Sequence, residues 1–143
     1  MATIKHLLHI NAPRKTIFDA LSTLKGLRNW WTKDTHGDTK EKGIIQFRFG
    51  EYGPDIKVKT LKPDEMVKWE CVGGSEDWIG TTIQFKLDEH EGKTRVRFTH
   101  AGWENAGDFY ALCSFTWGRY LESLRQYCQT GKGEAFGSKS YKQ

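Results

Sequence analysis

Thr81-Thr82-Ile83-Gln84-Phe85-Lys86-Leu87 and, after the turn Asp88–Gly92, Arg95-Val96-Arg97-Phe98-Thr99-His100 are the stretches on which the fold turns. In both, apolar side chains alternate with polar or charged ones at a spacing of two, which sends them to opposite faces of an extended strand. Ile79 extends the first stretch backwards at the same parity. The pattern also runs upstream. Ile45, Phe47 and Phe49 alternate with Gln46 and Arg48; Ile56, Val58 and Thr60 with Lys57 and Lys59; Val67, Trp69 and Cys71 with Lys68 and Glu70. Gly50–Gly53, Lys62–Glu65 and Gly73-Gly74 provide turns between them. Five such segments in succession, each with one charged face, predict an antiparallel meander solvated on one side.

The apolar face of that sheet needs a cover, and the C-terminal part of the chain supplies it. From about Asn105 to Gln129, Phe109, Leu112, Phe115 or Thr116, Tyr120, Leu124 and Tyr127 recur every three or four residues, the spacing of a long amphipathic helix. Gly131, Gly133 and Gly137 end it and open a loose polar tail. Upstream of the meander, Thr3–Ile10 reads as a strand stopped by Asn11-Ala12-Pro13, where the proline suits the first turn of a helix carrying Ile17, Phe18, Ala20 and Leu21. A second short helix spans Leu24 to Trp31, and the polar run Lys33–Lys42 reads as an exposed loop. Residues 1–130 therefore form one domain and 131–143 a polar tail.

Composition excludes several classes. The 22 basic and 18 acidic residues interleave without a block of like charge, so the net charge of +4 describes a solvated surface and not a nucleic-acid footprint. No apolar run approaches the ~20 residues of a membrane span, and the N-terminus has no signal-peptide pattern. Cys71, Cys113 and Cys128 follow no pattern; on one helix Cys113 and Cys128 would stand roughly 22 Å apart, far beyond disulfide reach. Reduced thiols and a cytoplasmic setting are expected. With 13% aromatic residues and six tryptophans, burial must come from a few large rings, whose uneven packing leaves room for a cavity.

Several motifs resemble the START-like, or helix-grip, superfamily, and within it the family named for the activator of the heat-shock-protein ATPase. At the start these are Ile10-Asn11-Ala12-Pro13, Ile17–Leu21 and Leu27–Thr32. Later come Trp78–Thr82, then Val96-Arg97-Phe98-Thr99-His100-Ala101-Gly102-Trp103, then Trp117, Tyr120-Leu121, Ser123-Leu124 and Gly131-Lys132-Gly133. The chain looks like the single-domain bacterial members. The resemblance implies an α+β helix-grip: a curved antiparallel sheet of about six strands wrapped around a long C-terminal helix, with two short helices after the first strand. It further implies a hydrophobic small molecule held between sheet and helix, an activity of the cyclase or aromatase sort in a minority of members, and a chaperone or other protein partner for some. A role in the stress response follows from the family name alone, which is analogy from fold.

The residues themselves spell no reaction. There is no phosphate-binding glycine loop, no HExxH and no closely spaced Cys/His set, so no cofactor or metal is expected and no residue is assigned as catalytic. His6 and His9 have opposite parity on their strand and cannot share a metal. His100 has inward parity; it either bonds a backbone carbonyl and fixes the following turn, or orients a ligand or moves its proton. Cys71 reads as a small buried hydrophobe. Tyr120 offers a hydroxyl to a ligand or to a neighbour in the core, and Trp30-Trp31 reads as a packing lid of which one ring could edge a cavity mouth. The candidate cavity wall is Phe47, Phe49, Trp69, Phe85, Phe98 and His100 from the strands with Trp117 and Tyr120 from the helix. Binding of a hydrophobic molecule leads, with a cyclase-like enzyme and a co-chaperone as alternatives. Self-pairing through an exposed strand or the Trp30-Trp31 region stays open.

Overall fold

The computed structural model describes residues 1–141. Strand β1 (Ala2–Ile10) leads through helices α1 (Arg14–Ser22) and α2 (Leu24–Trp30) into β2 (Asp34–Gly37), β3 (Ile44–Arg48), β4 (Asp55–Lys62), β5 (Met66–Gly73), β6 (Thr82–His90) and β7 (Lys93–Trp103), and helix α3 (Asp108–Thr130) follows. The sheet has seven strands in the order β1-β7-β6-β5-β4-β3-β2, every pair antiparallel. Six strands thus form the meander, and the N-terminal strand closes against its last member. Strand parity sends Ile45, Phe47, Ile56, Val58, Val67, Trp69, Ile83, Phe85, Val96 and Phe98 to one face, where all are buried. The helices pack on that face, and the opposite face carries the Lys, Arg and Glu residues of the alternation.

Helices α1 and α2 cross at very close range. A side chain at Gly26 would put its first carbon 2.5 Å from Ala20 Cα, so only glycine lets the two backbones meet. Thr23 caps α2, accepting from Gly26 N at 3.0 Å, and the Trp30 indole donates to Ala20 O at 2.9 Å.

Three expectations need correction. The polar run Lys33–Lys42 contains strand β2; Thr35 is its one buried side chain, and its hydroxyl donates to Thr32 O at 2.7 Å, so a hydroxyl stands where an apolar residue would have shown the strand. With it the sheet counts seven strands, in keeping with the expected curved antiparallel sheet of about six. Ile79 is not a strand residue: it is half exposed in the turn before β6, which starts at Thr82. Helix α3 starts at Asp108, and its buried positions are Cys113, Trp117, Tyr120, Leu121, Ser123 and Leu124, while Phe109, Leu112 and Phe115 are exposed.

The segment after α3 is also not loose over its described residues. Gly131 terminates the helix in a left-handed conformation (φ +83°), its N–H bonded to Tyr127 O at 2.7 Å. The chain then returns against α2: Lys33 N donates to Phe136 O at 3.0 Å, Phe136 N donates to Trp31 O at 2.9 Å, and Ala135 is buried. Lys142 and Gln143 lie outside the described residues.

Candidate functional site

A cleft of about 710 Å³ opens between the N-terminal half of α3, the turn joining β3 to β4, and the loop joining β5 to β6. Three indoles form its floor. Trp78 and Trp117 stack with ring centres 6.0 Å apart and planes 19° from parallel, and Trp31 lies 5.0 Å from Trp117. Phe49, Tyr120 and Phe136 make one side, Phe49 standing 5.8 Å from Tyr120 and 5.6 Å from Phe136. Phe109 and Leu112 rim the mouth.

Strands and helix position these rings for separate reasons. Trp31 follows α2 directly and is inserted under α3, touching Phe47 at 4.3 Å and Trp69 at 5.9 Å between ring centres. Trp117 sits on the buried stripe of α3. Trp78 is held by hydrogen bonds: its carbonyl accepts from Thr81 Oγ1 at 2.5 Å.

That hydroxyl belongs to a relay through His100. The Trp117 indole donates to His100 Nδ1 at 3.1 Å, so the imidazole proton is on Nε2, which donates to Thr81 Oγ1 at 2.8 Å. The ring is fully buried, and burial pushes its pKa down to about 3, so it is neutral in ordinary buffers. His100 therefore ties two floor indoles to the β6–β7 strands and does not itself line the cleft. Its partners are a hydroxyl and an indole, not the backbone carbonyl read from the sequence.

Polar groups are few and mostly committed. Arg48 forms an ion pair with Asp55 (Nη2 to Oδ1, 2.9 Å) and donates from Nη1 to Phe47 O at 2.9 Å and Gly53 O at 3.3 Å, which fixes the turn at the mouth. Gly53 is required there, since an added Cβ would lie 1.9 Å from Phe47 O. Burial first, and the Tyr141 phenol beside it second, hold the Tyr120 phenol well above its ordinary pKa, so it is a neutral hydroxyl. Burial also raises the thiol of Cys113, which faces the cleft, and makes it a poor nucleophile at neutral pH. Among the described residues, no group of three or more His, Cys, Asp or Glu side chains could hold a metal ion.

Of the residues named from the sequence, Phe49, Trp117 and Tyr120 line the cleft. Phe47, Trp69, Phe85 and Phe98 lie beneath its floor, packed on one another: Trp69 to Phe85 and Phe85 to Phe98 are each 5.2 Å between ring centres. Trp78, Phe109, Leu112, Phe136 and Tyr141 line it without having been singled out as lining residues. Trp30 and Trp31 are both buried, which removes them as a surface for self-pairing.

A curved antiparallel sheet gripping a C-terminal helix, with an aromatic cleft at the open end, defines the START-like, helix-grip class. Residues 11–129 match the model of the activator of Hsp90 ATPase homolog 1-like proteins, and the chain belongs to that family. Among solved structures, the Aha1 dimer from Colwellia psychrerythraea is 41% identical, with a TM-score of 0.86, and the match covers 93% of this chain and 100% of that one. SSP2350 from Staphylococcus saprophyticus shares the fold at 20% identity and a TM-score of 0.75, covering 94% and 97% of the two chains. CalU16 from Micromonospora echinospora does so at 14% identity and a TM-score of 0.74, covering 87% of this chain and 73% of its own. Comparison with curated proteins returns no match. No described helix is long and apolar enough to cross a membrane.

Proposed function

We propose that this protein binds a hydrophobic small molecule in the cleft between its sheet and C-terminal helix. The observation that carries this reading is the floor of Trp31, Trp78 and Trp117 beneath a cleft of about 710 Å³, the size and lining of a small-molecule site. Three free cysteines, two of them buried, agree with a reducing, cytoplasmic setting. A cyclase-like reaction at the same cleft would need a proton carrier there. His100 is neutral, with both nitrogens engaged below the floor, so of the two groups named from the sequence only the Tyr120 phenol lines the cleft, alongside the Glu51 and Asp55 carboxylates. A chaperone partner rests on the family description.

A thermal-shift panel of hydrophobic compounds tests the binding reading. A true ligand at ~100 times its Kd adds ~2.7 kcal/mol of stability, which raises Tm by about 5 °C or more in a chain of this size. A panel spanning sterols, acyl chains and polycyclic aromatics that leaves Tm unmoved contradicts the reading.

A second reading, self-association, is favoured by the relative from Colwellia psychrerythraea, whose structure is that of a dimer. We propose that this chain forms a homodimer too.

A further inference from the structure

Along the N-terminal half of α3, Asp108, Leu112, Phe115 and Arg119 recur at steps of four, three and four, which places them on one stripe of the helix. The stripe lies on the outer side of the helix, Leu112 at its edge also rimming the mouth of the cleft. Leu112 is 58% and Phe115 68% exposed, and Asp108 and Arg119 are exposed at its ends. Two large apolar side chains side by side in water are an uncommon cost for a helix that has a buried face elsewhere.

The same stripe continues through Glu122 and Gln126, where the chain covers it with its own C-terminal segment. Gln126 Nε2 donates to Glu134 Oε2 at 2.9 Å, and Glu134 N donates to Ser123 Oγ at 2.7 Å. The covered half is polar and the half left to solvent is apolar at its centre, the reverse of what a monomer requires.

We propose that a second copy of the chain packs on Asp108–Arg119 with its α3 antiparallel to the first, the two-fold axis passing between Leu112 and Phe115. The proposal rests on the homodimer reading above and says where the contact is. The order acid, apolar, apolar, base is self-complementary only in that direction. Antiparallel pairing sets Leu112 of each copy on Phe115 of the other and Asp108 of each beside Arg119 of the other. Parallel pairing would oppose Asp108 to Asp108 and Arg119 to Arg119. The Arg119 guanidinium, 5.6 Å above the Tyr141 ring, is already held near the end of the stripe where Asp108 of the other copy arrives.

Sedimentation equilibrium of the full chain tests this, with circular dichroism melting to show that each variant is folded. The wild type is expected to be a dimer. Leu112→Glu should raise its dissociation constant at least about 30-fold, since the change enters the two-fold contact twice. Asp108→Arg and Arg119→Asp should each raise it about 10-fold, and the two together should return it to within about threefold of wild type. A wild-type monomer overturns both this proposal and the homodimer reading; the stripe then serves a different protein. A dimer indifferent to Leu112→Glu overturns the α3 contact and leaves the homodimer standing. Losses in both charge variants without recovery in the double overturn the antiparallel register.

Discussion

His100, which the sequence leaves open between fixing a turn and orienting a ligand or moving a proton, joins two indoles of the cleft floor in the fold. Its Nδ1 accepts from Trp117 and its Nε2 donates to Thr81, whose hydroxyl in turn holds the Trp78 carbonyl. The bond from Trp117 requires a neutral ring, since a protonated Nδ1 cannot accept, and burial keeps the ring neutral down to about pH 3, against an ordinary value of 6.5. The unfolded chain takes up a proton at this residue below about pH 6.5 and the folded one does not until about pH 3, so stability falls as pH falls through that window. The slope from this group alone approaches ~1.4 kcal/mol per pH unit. His100→Gln can keep one acceptor and one donor without a titrating group. Urea unfolding at a series of pH values should show the wild type losing its advantage over His100→Gln between pH 6 and 4; parallel curves would deny the buried neutral imidazole. Strand parity made the inward direction of His100 legible. Its partners were not, because Trp117 and Thr81 are distant in sequence and nothing local marks them as a set.

At the scale of elements, the meander was the most legible part, because β3 to β7 each alternate large apolar and charged residues and only a strand satisfies that pattern. Strand β2 was hidden because Thr35 alone faces inward, and the phase of α3 was misread because apolar letters occupy two of its faces. The buried face holds Trp117, Leu121 and Leu124; Phe109 and Leu112 rim the cleft, and Phe115 points to solvent. The contact of α1 with α2 gives a sharp prediction. Gly26→Ala drives a methyl against Ala20 backbone, 2.5 Å to Cα and 2.6 Å to O, which the helices can relieve only by separating. A loss of about 2 kcal/mol or more is expected in denaturant unfolding. Gly118→Ala is the control on α3: the added carbon meets only His6 Cε1 at 3.8 Å, so better helix propensity should leave stability equal or up to ~1 kcal/mol higher. Equal losses in both variants would mean that backbone proximity is not what selects glycine at position 26.

On the scale of the whole molecule, the cleft exists because one helix cannot fill the concave side of a seven-stranded sheet. Helix α3 packs against β1, α1 and α2, with His6 of β1 bonded to Ser114 O at 3.1 Å, while its cleft-facing side stands off from the β3–β4 and β5–β6 turns. Parity could predict which rings point inward but not how deep they lie. Phe47, Trp69, Phe85 and Phe98 are on the central strands and are roofed by Trp31 and Trp117, so these four rings lie below the cleft and do not line it. Phe136 and Tyr141 were out of view because they sit in a glycine-rich polar segment whose return to the body depends on backbone bonds to Trp31 and Lys33. Binding in this cleft can be read directly from its three indoles. Titration with the neutral fluorophore N-phenyl-1-naphthylamine, exciting tryptophan, should give saturable energy transfer at one probe per chain. Thr116→Trp, which fills the cleft from a half-buried position on α3, should abolish that transfer while leaving the melting temperature within a few degrees of wild type. Transfer that never saturates, or that survives Thr116→Trp undiminished, would contradict a ligand site between the sheet and its helix.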